Sequence, residues 1–214
     1  SHHGLYLAGI WYPDKTRVGW WKNGYTDYFG KVINAVNFIA VDVTIDGVAL
    51  DLGVQEVSDF HVELDMKNGL LTRRFTYQEG ETKVAFSFER FVSIVDKEMS
   101  HQRIRIDVLQ GAPEIQLYSK VDGNVRNEDS NYDEMFWEEK QRSSQNGLHS
   151  LTMETIPNAF EVPRFSVTAA MKNTLSEALQ GEGVSEELLV GDHFVWSGSA
   201  GATLVVEKTV AVVT

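Results

Sequence analysis

Between Val121 and Lys140 the chain reads VDGNVRNEDSNYDEMFWEEK, in which Asp122, Glu128, Asp129, Asp133, Glu134, Glu138 and Glu139 are interleaved with Tyr132, Phe136 and Trp137. These residue types suit a sugar: flat rings stack on the apolar face of a pyranose, and carboxylates accept from its hydroxyl groups. The stretch has no sustained period, so it reads as a long loop with a short helix near Met135, and long loops inside compact domains are often functional. The competing reading is a solvated acidic loop whose aromatic residues are tucked onto a sheet. Cleaving a glycosidic bond needs two flanking carboxylates, or one acid plus an attacking phosphate. Acids are so abundant here that their presence alone discriminates nothing. His61, Glu63 and Asp65 alternate along one strand-like run and read as its solvated face.

Other chemistries find little support. His61, His101, His149 and His193 are scattered without an HxxxH spacing, there is no cysteine, and neither a GxSxG nor a phosphate-loop motif occurs. Of the tryptophans, Trp196 sits in apolar strand text and reads as core. Trp20, Trp21 and Trp137 sit in loop-like text, where such residues usually cover a ligand, an apolar patch or another chain.

The elements that must position these residues are mostly strands. Gly4–Tyr12 reads as a strand, and Pro13–Asp27 as a loop. From Phe38 the period is two. Ile39, Val41, Val43 and Ile45 share a face, Asp46-Gly47 marks a tight hairpin turn, and Val48–Leu52 returns. Phe60, Val62, Leu64 and Met66 then alternate with polar residues; Leu71, Arg73, Phe75 and Tyr77 share one face, as do Val84, Phe86, Phe88, Arg90 and Val92, and then Gln102, Ile104, Ile106 and Val108. Ile115–Val121 leads into the acidic loop. Beyond it come a short strand around Leu151 and Met153, the alternation Phe165, Val167, Ala169, Met171, and a final hairpin of His193–Ser197 with Ala202–Val213. Many strands at roughly ten-residue spacing, with no linker and no repeat, predict a single domain that is a large antiparallel sandwich.

With 214 residues the chain can bury a substantial core. Its net charge of −12 argues against nucleic acid and anionic membrane as partners. No apolar run is long enough to be a membrane helix, residues 1–30 do not read as a signal peptide, and the lack of cysteine fits a reducing compartment.

Five segments in collinear order, GLYLAGIWYPDKTRVGWWKNGY (4–25), LDMKNGLLTRRFTY (64–77), FERFVSIVD (88–96), VDGNVRNEDSNYDEMFWEE (121–139) and VEKTVAVVT (206–214), resemble the N-terminal domain of glycoside hydrolase family 65. The run PDKTRVGWWKNGY is most similar to the branch of that family that phosphorolyses maltose. The resemblance implies an all-β super-sandwich of the galactose-mutarotase-like type, joined in the parent chain to a catalytic (α/α)6 barrel. It implies a cytoplasmic parent enzyme that cleaves an α-linked disaccharide with phosphate and inversion, without metal or organic cofactor. The family's general acid and phosphate ligands belong to the barrel, so no catalytic residue is carried over to this chain. The family's opening strand precedes Ser1, which leaves an expected open sheet edge.

Within that frame the domain is expected to pack against the barrel, to support a homodimer and to lend a loop to the rim of the active site. The rim candidates are Asn131, Tyr132, Phe136 and Trp137; the interface candidates are Trp20, Trp21, Tyr25 and Tyr28. Two other readings stay open. One is a stand-alone carbohydrate-binding module; the other is aldose mutarotase-like activity, with His61 or His101 acting beside Glu63.

Overall fold

The computed structural model describes residues 4–17, 24–127 and 134–214. Among these residues the regular elements are strands: β1 (Trp11–Lys15), β2 (Tyr28–Val32), β3 (Val41–Ile45), β4 (Val48–Ala49), β5 (Val57–Asp65), β6 (Leu70–Glu79), β7 (Thr82–Val92), β8 (Met99–Gln110), β9 (Glu114–Asp122), β10 (Trp137–Gln145), β11 (Leu148–Thr155), β12 (Ser166–Leu175), β13 (Glu182–Glu186), β14 (Leu189–Ser197) and β15 (Thr203–Val213). They form an eight-stranded sheet in the order β10-β11-β12-β15-β8-β7-β6-β5 and a five-stranded sheet in the order β13-β14-β9-β3-β4, with β1 and β2 paired separately. Every pairing is antiparallel. The fold is the all-β antiparallel sandwich that the alternation predicts.

Turn chemistry sets the registers. Asp46 and Gly47 both take positive φ, 50° and 79°, the geometry a two-residue turn needs between right-twisted strands. The β5–β6 turn is closed by the Asp65 carboxylate, which accepts from the backbone N–H groups of Lys67 and Asn68, and Gly69 supplies the left-handed residue.

Several expectations are corrected. Gly4–Tyr12 is not one strand: a turn at Gly9 (φ 82°), with Ile10 N–H donating to Leu7 O, precedes β1. Of Val48–Leu52 only Val48–Ala49 is strand, with Leu50 N–H still donating to Val43 O at 2.8 Å. Among the described residues Met135 is not helical; Glu134 bridges to Asn127 and Trp137 already starts β10. β10 itself, WEEKQRSSQ, has no apolar alternation because it is an edge strand with few residues facing the core. The predicted final hairpin does not exist either. Trp196 pairs with Ile115 in one sheet while Leu204 pairs with Ile106 in the other, so 198–202 carry the chain across the sandwich. That crossing is strapped to the β8–β9 crossing by Ala200 N–H to Gly111 O and Gly201 N–H to Val108 O.

The interior holds two apolar cores. One gathers Phe75, Phe86, Ile104, Ile106, Ile115, Leu117, Phe194, Trp196 and Leu204; the other gathers Ile33, Val36, Val121, Phe136, Trp137, Leu151, Met153, Met171, Val190 and Val210. Burying each such side chain stabilises the fold by about 1.5–3 kcal/mol. Between them lies a buried polar seam, built by one inward position on each of several strands. On β15 the inward series is Leu204, Val206, Lys208, Val210; on β9 it is Ile115, Leu117, Ser119, Val121; on β14 it is Trp196, Phe194, Asp192, Val190. Gln102, Asn173 and His149 complete the seam from β8, β12 and β11, and all of its groups have partners.

Candidate functional site

The acidic stretch is clamped at its neck. Asn127 and Glu134 form an isolated antiparallel bridge, so both ends of the intervening segment are fixed. Asn34 is the hub. Its N–H donates to Asn127 Oδ1 (2.9 Å), its Nδ2 donates to Arg126 O (2.8 Å), and its Oδ1 accepts from Leu5 N–H (2.9 Å). Trp137 Nε1–H donates to Asn34 O at 2.6 Å, and Asn127 Nδ2 donates to Val32 O at 3.0 Å. Outside the neck, Glu134 accepts from Lys31 (2.8 Å) and Arg17 (2.6 Å), and Asp14 lies 3.3 Å from the same two cations. The Lys31 hydrogen bond, ahead of the Arg17 bond, holds the Glu134 carboxyl below its usual range.

The rim candidates divide. Asn131 and Tyr132 lie outside the described residues. Phe136 and Trp137 are buried in the second core, with 5% and 3% of their surfaces exposed, so neither presents a free aromatic face in this chain. Phe136 packs on Tyr12 with ring centres 4.9 Å apart and lies under the Lys31 ammonium at 5.1 Å. Their apolar area is satisfied by the core, and what they hold is the neck. Among the interface candidates, Trp20 and Trp21 lie outside the described residues. Tyr25 is exposed and meets the exposed Phe29 edge-on. Tyr28 is engaged within the chain, between Trp11 and Phe160.

The histidine positions do not converge. His61 and Glu63 touch at 3.3 Å but stand mostly exposed on edge strand β5. His101 stacks on Phe91 at 4.9 Å on β8, three strand spacings away in the same sheet, or roughly 14 Å. His101 is therefore too far from Glu63 to act beside it, and of the two pairings only His61 with Glu63 is in contact, on an exposed strand edge. A Ser-His-Asp row does occur: Ser144 Oγ lies 2.8 Å from His149 Nδ1, and His149 Nε2 lies 2.8 Å from Asp192 Oδ1. The row continues through Asn173 Nδ2 to Asp192 Oδ2 (2.7 Å) and Ser119 Oγ to Asn173 Oδ1 (2.9 Å), crossing from one sheet to the other. Ser144 Oγ faces Gly183, where an added Cβ would lie 3.2 Å away, and it borders none of the clefts described below. Its geometry is that of a tie between the sheets.

Two adjoining clefts open where the eight-stranded sheet overhangs the five-stranded one. The first, 370 Å³, has an apolar floor that includes Ile39, Phe60, Val62, Leu71 and Phe88. The second, 660 Å³, is polar and includes Asn37, Asp42, Lys120, Asp122, Asn124 and Arg126. Arg73 and Arg90 wall both. Sequence reading passed over these two arginines, although a signal was present: both occupy the core-facing phase of their strands, in the series Leu71, Arg73, Phe75 and Phe86, Phe88, Arg90. Among the described residues no cluster of three or more acids and histidines could hold a metal ion.

The description that matches residues 1–214 is that of the glycosyl hydrolase family 65 N-terminal domain. Over 200 residues, 94% of this chain, the sequence is 42% identical to the maltose phosphorylase of Bacillus subtilis (strain 168), and it spans 26% of that protein's length. A solved structure from the human microbiome, named provisionally as a kojibiose phosphorylase, superposes with a TM-score of 0.84 at 21% identity; 98% of this chain and 26% of that one are covered. The chain thus spans about a quarter of the length of these relatives.

Proposed function

The chain belongs to glycosyl hydrolase family 65, of which it is an N-terminal domain, and on that premise we propose that it is the non-catalytic β domain of a disaccharide phosphorylase. The parent reaction is maltose plus phosphate giving β-glucose 1-phosphate and glucose. A carboxylic acid in the catalytic barrel protonates the glycosidic oxygen while phosphate attacks the opposite face of the sugar. In this reading the domain docks on the barrel, contributes to a homodimer and supports a loop at the active-site rim. The parent acts in the cytosol, and its chemistry needs no metal or organic cofactor.

The observation that carries the docking role is the overhang of β5. Phe60, Val62 and Leu64 share the core-facing phase of the sheet, yet each is more than half exposed, and Met66 beyond them is 86% exposed. Large contiguous apolar surfaces of this kind mark interaction sites. The five-stranded sheet ends in the two-residue strand β4 and leaves this face uncovered. The unspanned three-quarters of the relatives' length is the occupant that fits. For the rim loop, Asn131 and Tyr132 are assigned sugar contact and Phe136 and Trp137 anchor the neck. For the dimer, the assigned contacts are Trp20, Trp21, Tyr25 and Tyr28, of which Tyr25 is exposed beside exposed Phe29.

The test expresses this chain and the remainder of the parent as two polypeptides. The chain alone should release no sugar phosphate from maltose and phosphate, and the reconstituted pair should. Replacing Phe60 and Leu64 together by Ser should weaken the pair while leaving this chain folded. Turnover by the chain alone would sink the non-catalytic reading, and a pair indifferent to the double substitution would sink the docking face.

A further inference from the structure

The docking reading uses β5 and leaves Arg73 and Arg90 unexplained. The register places Arg73 opposite Phe88 and Leu71 opposite Arg90, so the arginines are diagonal neighbours on the same face of β6 and β7. Phe88 lies beneath the Arg73 guanidinium, 4.8 Å from ring centre to Cζ. Both arginines stand exposed at the cleft; desolvation of the Arg73 guanidinium against its neighbours, and then the like charge of Arg90, pull Arg73 below the usual arginine range. In a chain of net charge −12, no carboxylate among the described residues pairs with either arginine. The acids nearby are otherwise engaged. Asp42 and Asp122 lie 2.7 Å and 3.9 Å from Lys120, and Glu89 lies 3.9 Å from Arg103. Asn37 borders the polar cleft with its Oδ1 enclosed and accepting no hydrogen bond among the described residues.

We propose that the polar cleft is a binding site for a phosphorylated polyol, with the phosphate held between Arg73 and Arg90 and the hydroxyl groups turned towards Asn124. Two guanidinium forks need more acceptors than one carboxylate supplies, since a single bidentate arginine already uses both carboxylate oxygens. A phosphate monoester offers three oxygens and two charges. The uncharged amide of Asn124 in the same cleft suits hydroxyl groups, which both donate and accept. The volume of 660 Å³ is in the range of small-molecule sites. Arg73 and Arg90 also wall the apolar cleft beneath β5, so a partner seated on β5 would border this site, and the site is tested on this chain by itself.

The experiment is calorimetric titration of this chain at low salt with glucose 6-phosphate, glucose 1-phosphate, inorganic phosphate and glucose. At least one sugar phosphate should bind saturably, with glucose and inorganic phosphate each weaker by about tenfold or more. Arg73→Gln and Arg90→Gln should each weaken the sugar phosphate by about tenfold or more, the loss of one charge-assisted contact. Arg74→Gln, on the opposite face of β6, should leave affinity unchanged, and circular dichroism should find all three variants folded. Should one arginine variant fail to fold, the other reads the site by itself. No saturable binding of either sugar phosphate up to about 10 mM would overturn the proposal. So would glucose binding as tightly as its phosphates, or an equal loss in Arg74→Gln.

Discussion

The indole N–H of Trp137 donates to the main-chain carbonyl of Asn34 across 2.6 Å, joining the first residue of β10 to the segment that follows β2. Around this bond the Asn34 amide ties Leu5, Arg126 and Asn127 together, so one buried hydrogen-bonded hub closes the neck of the acidic stretch. Trp137→Phe keeps most of the apolar volume and strands that carbonyl. The expected loss is about 1–3 kcal/mol in denaturant unfolding. Hydrogen exchange at the amides of Asn34 and Asn127 should rise more than exchange in the first core. Unchanged stability would mean the bond is dispensable.

The buried row from His149 to Asn173 depends on Asp192, which accepts from both sides. Asp192→Ala should cost about 2–5 kcal/mol, because it leaves two buried polar groups without an acceptor. Ser144→Ala, at the partly exposed end of the row, should cost less than about 1 kcal/mol. Chemical denaturation of both variants checks the ratio, and equal costs would contradict a seam anchored in the interior.

Lys208 is 1% exposed, and burial, with Lys120 as a second cause, lowers its ammonium to about 7. The sign follows from proton counting. Between about pH 7 and the ordinary lysine range the unfolded chain holds a proton that the folded chain lacks, so stability rises with pH across that window. Below it the contribution is lost. Lys208→Met should flatten the stability profile between pH 7 and about 9.5, with the difference from the parent chain on the order of a few kcal/mol at the acid end. A profile that kept its slope in the variant would assign the dependence to other groups.

Gly191 lies in β14 against β9, where an added Cβ would come within 2.2 Å of Ser119 O and 2.8 Å of Lys120 Cα. Both are backbone atoms of the central strand and cannot give way. Gly191→Ala should therefore destabilise by about 3 kcal/mol or more, read as a fall in Tm or as loss of soluble protein. Gly47→Ala, in open space at an exposed turn, should cost about 1 kcal/mol from backbone strain.

What the sequence by itself determined is the run of alternating strands from β6 to β8 and, with the other alternating stretches, the fold class. Leu71–Tyr77, Val84–Val92 and Gln102–Val108 alternate at period two and became β6, β7 and β8, with Phe75, Tyr77, Val84, Phe86, Ile104, Ile106 and Val108 buried as that phase predicts and Arg73, Arg90 and Val92 exposed where the facing sheet ends. Trp196 was legible as core for the same reason. The partners of those strands were not legible. Ser197 and Thr203 are only a short connection apart, yet they enter different sheets, since a crossing and a hairpin use the same turn residues and differ only in long-range pairing. Burial of Phe136 and Trp137 was likewise decided by tertiary structure, because loop text does not say whether a core lies beneath it. The arginine pair marks the remaining gap. Arg73 and Arg90 each break the apolar phase of a strand, which a single sequence can register. Only the register between β6 and β7, and the early end of the facing sheet, place them side by side over an open cleft.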